Sequence, residues 1–324
     1  MIMIYCMQKN FFLRKRAIFF SKIRSFFFKK KVLEIDTPLL TKYTITDVNI
    51  SSLKVVYQDQ FLYNKNIFMW LITSPEYHMK RLLSLGIGPI YQICHVFRKD
   101  EIGRYHNPEF TMLEWYQPFY DMFDMIDMIK FFFYCVFNIL YCEMISYQDI
   151  FIRYLNIDPL HTNKKELNSI LCSLHHKHLI SSKNNIVDIL ELLFMIYIQP
   201  KIGLEIPIFI YHYPREQAML ARINQKNHLV SDRFEIFFKG IEIGNGFYEL
   251  INKVEQKKRF EQDNVKRVKY GLESREIDFR LLNALDSQYM PDCSGVAIGI
   301  DRLMMILLGT NHIKHVISFS FENC

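Results

Sequence analysis

The stretch at 97–116, FRKDEIGRYHNPEFTMLEWY, limits the fold more than any other part of the chain. An arginine opens it, Gly103, Asn107 and Pro108 crowd its centre, and its second half alternates apolar with polar residues. That pattern predicts a strand, a loop and a returning strand. Arg98 then sits beside a loop able to fold over a ligand, while Glu114 and Tyr116, two apart, share one face of the return strand. An arginine fork suits a phosphate or carboxylate, and a carboxylate facing it suits a cation. The pair fits a zwitterionic amino acid and a nucleotide. An ordinary antiparallel hairpin with solvated charges fits the same letters.

Residues 10–31 read as an amphipathic helix with a basic polar face, a simpler account of the interleaved Lys, Arg and Phe than a nucleic-acid surface. A strand, VLEID, follows and ends at Thr37-Pro38, and 45–73 alternates weakly, as short strands do. Ser74-Pro75-Glu76 predicts a helix that starts from a capping serine and a first-turn proline and runs through Leu85. Residues 91–98 form the strand that enters the hairpin. A helix is expected over 121–142, a mostly helical insertion over 146–200, strands over 207–213 and 233–250, and a charged helix over 255–270. The closing segment SGVAIGIDRLMMILLG reads as a strand and an apolar helix. Neither an internal repeat nor a Gly-, Pro- or Ser-rich linker divides the chain, so 1–324 reads as one domain.

Half of the 324 residues are hydrophobic and 23% are charged, which provides for a sizeable core and excludes global disorder. Heavy use of Phe, Ile, Tyr, Lys and Asn matches AT-rich codons, so single phenylalanines and lysines carry little functional weight. The net charge of +6 gives a mild field for an acidic macromolecular partner. Seven scattered cysteines without a CxxC fit a reduced cytosolic chain, neither a disulfide framework nor a zinc site. His175, His176 and His178 have poor metal spacing. The N-terminus lacks a signal-peptide pattern, and the apolar run 131–141 is too short to span a bilayer. A soluble, cytoplasmic protein with no membrane partner is expected.

A second hairpin, RFEIFFKGIEIGNGFYEL at 233–250, carries three spaced glutamates. With Lys239-Gly240 as a two-residue turn, Glu242 pairs across from Phe237, and Glu235 lies two along on the same face. Two carboxylates on one face suit magnesium (Mg2+) carrying phosphates; solvated strand glutamates are the alternative. Gly244-Asn245-Gly246 is expected to interrupt the strand and re-aim Glu249 into the same cavity. At the end of the chain, 295–299 reads as a strand whose glycines permit close backbone approach, and Arg302 at its junction with a helix can meet a phosphate. The same residues also suit simple packing and a surface charge.

Taken in order, these segments resemble the class II aminoacyl-tRNA synthetases. Within them they resemble the lysyl branch and its short paralogues, which join (R)-β-lysine to elongation factor P. The helix 17–31 with the strand ending at Pro38 is similar to motif 1, 97–116 to motif 2, and 295–309 to motif 3. SPEYHMKRLL, GRYHNPEFTMLEWY, NGFYEL, RFEQDNVKR and MPDCSGVA resemble the paralogues particularly closely. The resemblance implies an α+β class II catalytic domain, an antiparallel sheet flanked by helices, and a homodimer built on motif 1. Too few residues precede motif 1 for a separate anticodon-binding barrel, so no stable tRNA binding is expected.

The resemblance also implies roles for individual residues. Ser74, Pro75 and Glu76 would contact the substrate's amino end. Arg98 would hold the carboxylate and then the α-phosphate. Arg98, Lys99, Asp100 and Asn107 would line the ATP site, with Phe110 stacking on adenine. Glu114, Tyr116 and Glu249 would surround the ε-ammonium. Glu235 and Glu242 would bind Mg2+ and ATP, with Ile243 and Asn245 beside them, and Gly299 and Arg302 would complete the nucleotide site. Arg98, Glu242 and Arg302 are thus the catalytic candidates. Ala297 stands where lysyl-tRNA synthetases usually have glycine, and its methyl would press on the substrate near its amino end. One departure is visible. Family members usually read FRNE where this chain has FRKD; Asp100 is a methylene shorter, and Glu101 is placed to substitute.

The implied reaction is ATP-dependent, AMP-forming activation of (R)-β-lysine and its transfer to a lysine of elongation factor P. Two rivals remain at this point. One is a tRNA-aminoacylating enzyme that uses α-lysine. The other is an idle regulatory or nucleic-acid-binding remnant, for which the basic N-terminal helix and the Lys99-Asp100 departure speak.

Overall fold

The computed structural model of the chain describes residues 2–59, 65–181 and 184–324. In chain order the elements begin with α1 (Ile2–Lys29), β1 (Leu33–Glu34), β2 (Leu40–Thr41), β3 (Lys54–Asp59), β4 (Lys65–Leu71), α2 (Glu76–Leu83), β5 (Ile90–Phe97) and β6 (Glu109–Pro118). They continue with α3 (Met122–Phe137), β7 (Glu143–Ser146), α4 (Tyr147–Leu155), α5 (Lys164–Ser173), α6 (Ile186–Leu193) and β8 (Ile208–Tyr211). The last are β9 (Arg233–Phe238), β10 (Ile241–Tyr248), α7 (Lys253–Lys269), α8 (Phe279–Leu285), β11 (Cys293–Gly299) and α9 (Ile300–Leu307). Parts of the strand region expected over 45–73 and of the helical region over 146–200 lie outside the described residues. Helices and largely antiparallel strands occur in separate runs, an α+β organisation.

The chain forms two compact units, Met1–Phe119 with Leu250–Cys324, and Tyr120–Glu249. In the first, the strands run in the order β1-β5-β6-β11, antiparallel except for a parallel β1–β5 edge. A separate three-stranded sheet, β2-β4-β3, lies in the same unit. Strand β6 is buried along nearly its whole length, as a strand covered on both faces must be. One covering element is α1. Phe27 stacks on Tyr91 at 4.2 Å and meets Trp115 edge-on at 5.3 Å. The apolar stripe of α1 therefore holds the sheet face carrying Tyr91, Leu113 and Trp115, and the alternate residues form the other face. That other face carries Gln92, Cys94, Met112, Glu114, Tyr116, Gly295, Ala297 and Gly299, matched across the strands by register.

The second unit orders its strands β10-β9-β8-β7, with a parallel pair at β7–β8. Its core joins Tyr147, Phe151, Leu167, Leu190, Phe194 and Phe237, tying α4 to α6 onto the β8–β9 face. Several boundaries differ from the sequence reading: α2 stops at Leu83 and not Leu85, α7 spans Lys253–Lys269, and three further differences have a visible cause. Helix α1 begins well before residue 10, and Lys31, at φ 57°, turns the chain out of it. Helix α3 stops at Phe137 because Asn138 adopts φ 60° and caps it, so the apolar letters up to 142 do not continue the helix. Strand β10 is not interrupted at Gly244–Gly246. It runs on to Tyr248 and takes up the irregularity as a bulge between Glu242 and Gly244.

Candidate active site

In the first unit the β5–β6 hairpin forms with Arg98 just past the end of β5 and the loop 98–108 between the strands. Register sets Gln92 and Ala297 on either side of Glu114. Glu114 is 2% exposed, and both carboxylate oxygens are held by neutral hydroxyls. Tyr116 Oη donates to Oε1 at 2.7 Å and Ser74 Oγ donates to Oε2 at 2.8 Å. Ser74 is held just ahead of α2, whose N-cap is Pro75 and not the serine expected from the sequence: its Oγ accepts the Glu76 amide at 3.0 Å, while Pro75 fixes the turn. One turn along, the buried Lys80 ammonium meets Glu76 Oε1 at 2.5 Å.

Burial pushes the Glu114 carboxyl up to about 7, and the nearby Glu76 charge adds to the rise; the Tyr116 and Ser74 hydrogen bonds and Lys80 oppose it. Among the described residues this carboxylate, held by hydroxyls, has no cation in direct contact. It is built to receive one. Ala297 packs against the cluster of Ile72, Cys94, Val96 and Met112, and register sets it beside this carboxylate, so its methyl group is part of the wall.

The nucleotide candidates also lie in this unit. The Arg98 guanidinium lies over the Phe110 ring at 5.1 Å, and its Nε is buried with no hydrogen-bond partner among the described residues. Its closest acid is Glu101, at 3.7 Å, too long for a firm bidentate pair. A fork so placed suits an incoming anion. Lys99 and Asp100 point elsewhere in character. Asp100 takes φ 66° and is 76% exposed, and Lys99 is 58% exposed at 4.0 Å from it. Glu101, and not Asp100, is the carboxylate beside Arg98. The Asn107 amide is spent on the chain itself: Nδ2 donates to Glu109 O at 2.7 Å, and Oδ1 accepts from the Phe321 amide at 3.0 Å. Gly299 ends β11 opposite Met112 and caps α9.

Arg302 clasps the loop 98–108, with Nε donating to Tyr105 O at 3.2 Å and Nη2 at 2.7 Å from His106 Nε2. Its neighbour Asp301 is buried and accepts the Thr111 amide at 2.6 Å, while Arg16 of α1 pairs with Asp301 and donates to Thr111 Oγ1 at 2.6 Å. The sequence reading passed over Arg16, Lys80, Gln92 and Asp301. Only the i, i+4 spacing of Glu76 and Lys80 was available to reveal any of them.

The second unit holds the other carboxylates. Lys239 and Gly240, both at positive φ, make the two-residue turn, and Glu242 does pair across from Phe237. The bulge at Ile243 then advances the register by one, so Asn245, not Gly244, faces Glu235. Cross-strand partners share a face, which places Glu235, Glu242 and Asn245 together on one side of the β9–β10 hairpin. Glu235 is already occupied. Arg233 pairs with Oε1, and Tyr213 Oη donates to Oε2 at 2.7 Å. Glu249, past the end of β10, is 1% exposed, and its carbonyl accepts Arg222 Nε at 2.7 Å.

Among the described residues no group of three or more His, Cys, Asp or Glu side chains is arranged to hold a metal ion. A two-carboxylate face still suits magnesium, which takes one or two carboxylates and completes its shell with phosphate and water. Glu242, on the same strand face as Glu235, is one such donor. Glu235 becomes a second only by releasing an oxygen from Arg233 or Tyr213. No helix of the described residues is long and apolar enough to cross a membrane.

An anion fork over an aromatic ring and a buried carboxylate held by hydroxyls suit a site for a nucleotide and an amino acid. Residues 4–323 match the family described as tRNA synthetases class II (D, K and N), and the chain belongs to that family. The chain is 52% identical over 313 residues to the elongation factor P–(R)-β-lysine ligase of Buchnera aphidicola subsp. Acyrthosiphon pisum (strain APS), covering 96% of this chain and 95% of that protein. It is 51% identical, over the same shares of both chains, to the ligase of the same name from Buchnera aphidicola subsp. Schizaphis graminum (strain Sg).

Proposed function

We propose that this chain is an ATP-dependent, AMP-forming ligase that activates (R)-β-lysine and transfers it to a lysine side chain of elongation factor P. The observation that carries the substrate is Glu114, a buried carboxylate presented by Ser74 and Tyr116 with no cation in direct contact among the described residues. The full-length similarity to proteins named for this reaction supports the acceptor.

In the first step a substrate carboxylate oxygen attacks the α-phosphorus of ATP. The bond from that phosphorus to the bridging oxygen breaks, and pyrophosphate leaves. Carboxylate and polyphosphate repel, so Arg98 neutralises both and lies preorganised over Phe110 for the charge that develops. Glu242 would hold magnesium, which would supply positive charge at the phosphates, and Glu235 on the same strand face would join it only on releasing Arg233 or Tyr213. Arg302 and Gly299 complete the nucleotide's surroundings at the β11–α9 junction, and Glu101 takes the place the family gives to the acid of FRNE. In the second step the neutral ε-amine of the acceptor lysine attacks the carbonyl carbon. The bond to AMP breaks, an amide forms, and the amine loses its proton. The protein acts by positioning and charge, without a nucleophile of its own.

In this reading the enzyme is cytoplasmic and homodimeric, and it modifies a protein in place of a tRNA. The test is purified protein with ATP, Mg2+, (R)-β-lysine and elongation factor P. A mass gain of one β-lysyl group on the acceptor, with AMP and pyrophosphate released, is the expected result; no gain with competent substrates would reject it.

A further inference from the structure

The substrate carboxylates of the first unit do not act alone, because a lysine of the protein is buried among them. Lys80 is 2% exposed, which is rare for an ammonium group and costly without a partner. Its partner is Glu76 at 2.5 Å, one helical turn back on α2. Glu76 in turn follows Ser74, whose hydroxyl holds Glu114. The charged and titratable groups that face Glu114 within its unit are Glu76 and Lys80 on α2, Tyr116 on β6, and Cys94 on β5.

Two carboxylates so placed repel, and both would compete for one incoming ammonium. We infer that Lys80 is a positioning residue for amino-acid recognition: it closes Glu76 into an internal ion pair, so that Glu114 is the carboxylate that meets the substrate's cation. This rests on the proposed amino-acid site but not on the identity of the amino acid. With Lys80 in place the Glu76 charge is paired, and burial leaves Glu114 with a raised affinity for its proton. Arrival of an ammonium group draws Glu114 to its charged form and releases a proton. Without Lys80 two negative groups lie together, and Glu114 holds its proton more tightly.

Titration of the ligand-free protein tests this. Carboxyl-13C glutamate labelling gives the resonances, and Glu114 is identified as the one lost in Glu114→Gln. In Lys80→Met the midpoint of Glu114 should rise, proton affinity growing about tenfold. In Glu76→Gln, which removes the Glu76 charge and keeps that of Lys80, it should fall. Lys80→Arg, which keeps the charge, should stay near the wild type. The opposite signs separate a charge effect from loosened packing, and Glu76→Gln provides the test if Lys80→Met does not fold. Unmoved midpoints, or both variants shifting in one direction, would overturn the inference. Pyrophosphate exchange with (R)-β-lysine is measured in parallel: expected shifts without exchange would reject the substrate and leave the role of Lys80 standing.

Discussion

Glu114 in the first unit and Glu235 in the second are both largely withdrawn from water, and both have two occupied oxygens. Their partners differ. Two hydroxyls hold Glu114, whereas Glu235 has one hydroxyl and the guanidinium of Arg233. Burial drives both carboxyls up from their ordinary range, and only at Glu235 does a partner's full positive charge lead the opposition. A buried carboxylate supplied with its own cation is a structural element that orients its neighbours. One supplied only with dipoles is a receptor for a cation from outside. The same side chain thus serves two purposes according to what stands beside it.

The largest effect should come from breaking the satisfied pair. Arg233→Met leaves Glu235 buried without its cation, and the protein should lose about 3–5 kcal/mol of stability in chemical denaturation. A loss below 1 kcal/mol would erase the distinction between the two carboxylates. Next, Arg98→Ala removes the fork that meets developing phosphoryl charge, and adenylation should slow by at least ~10²-fold in pyrophosphate exchange. Wild-type exchange in that variant would remove Arg98 from the chemistry.

Glu114→Gln should act in the opposite sense to Arg233→Met. The folded carboxyl ionises near 7 and the unfolded one in the ordinary carboxylate range, so the folded state binds the extra proton between them. Stability from this group is therefore present at acid pH, falls as pH rises through that window, and levels off above 7. The neutral variant should lack that slope and should be more stable than the wild type at pH 8, by about 2–3 kcal/mol. Thermal melts from pH 4.5 to 8 show the difference, and parallel curves would contradict it. The smallest effect is at Ala297. Ala297→Gly removes a methyl from the wall beside Glu114 and should shift selectivity from (R)-β-lysine toward α-lysine, by about 1–3 kcal/mol in the ratio of kcat/KM values. An unchanged ratio would dismiss the steric account.

Much of this site was legible in the letters. The Glu114–Tyr116 contact follows from their i, i+2 spacing, and the Lys239-Gly240 turn and the Glu242–Phe237 pair follow from hairpin geometry. What escaped depends on contacts between distant segments or on a choice of backbone conformation. Arg16 and Asp301 are joined only in the fold, and so are Asn107 and Phe321. Gly244 looked like the breaker of β10, yet the extra residue was accommodated at Ile243, a position whose side chain gives no sign of it. Asn138 lay within an apolar run that masked its role as a left-handed cap. The Glu76–Lys80 spacing was visible, but the burial that makes it consequential was not.

The central claim is that the activated amino acid passes to a protein. Competition tests it most directly: elongation factor P and lysine tRNA are supplied together with ATP, Mg2+ and labelled (R)-β-lysine, and the label is followed. The account predicts label on the protein, stable as an amide and increasing with pH as the acceptor amine loses its proton. Label entering the tRNA more efficiently than the protein would contradict it.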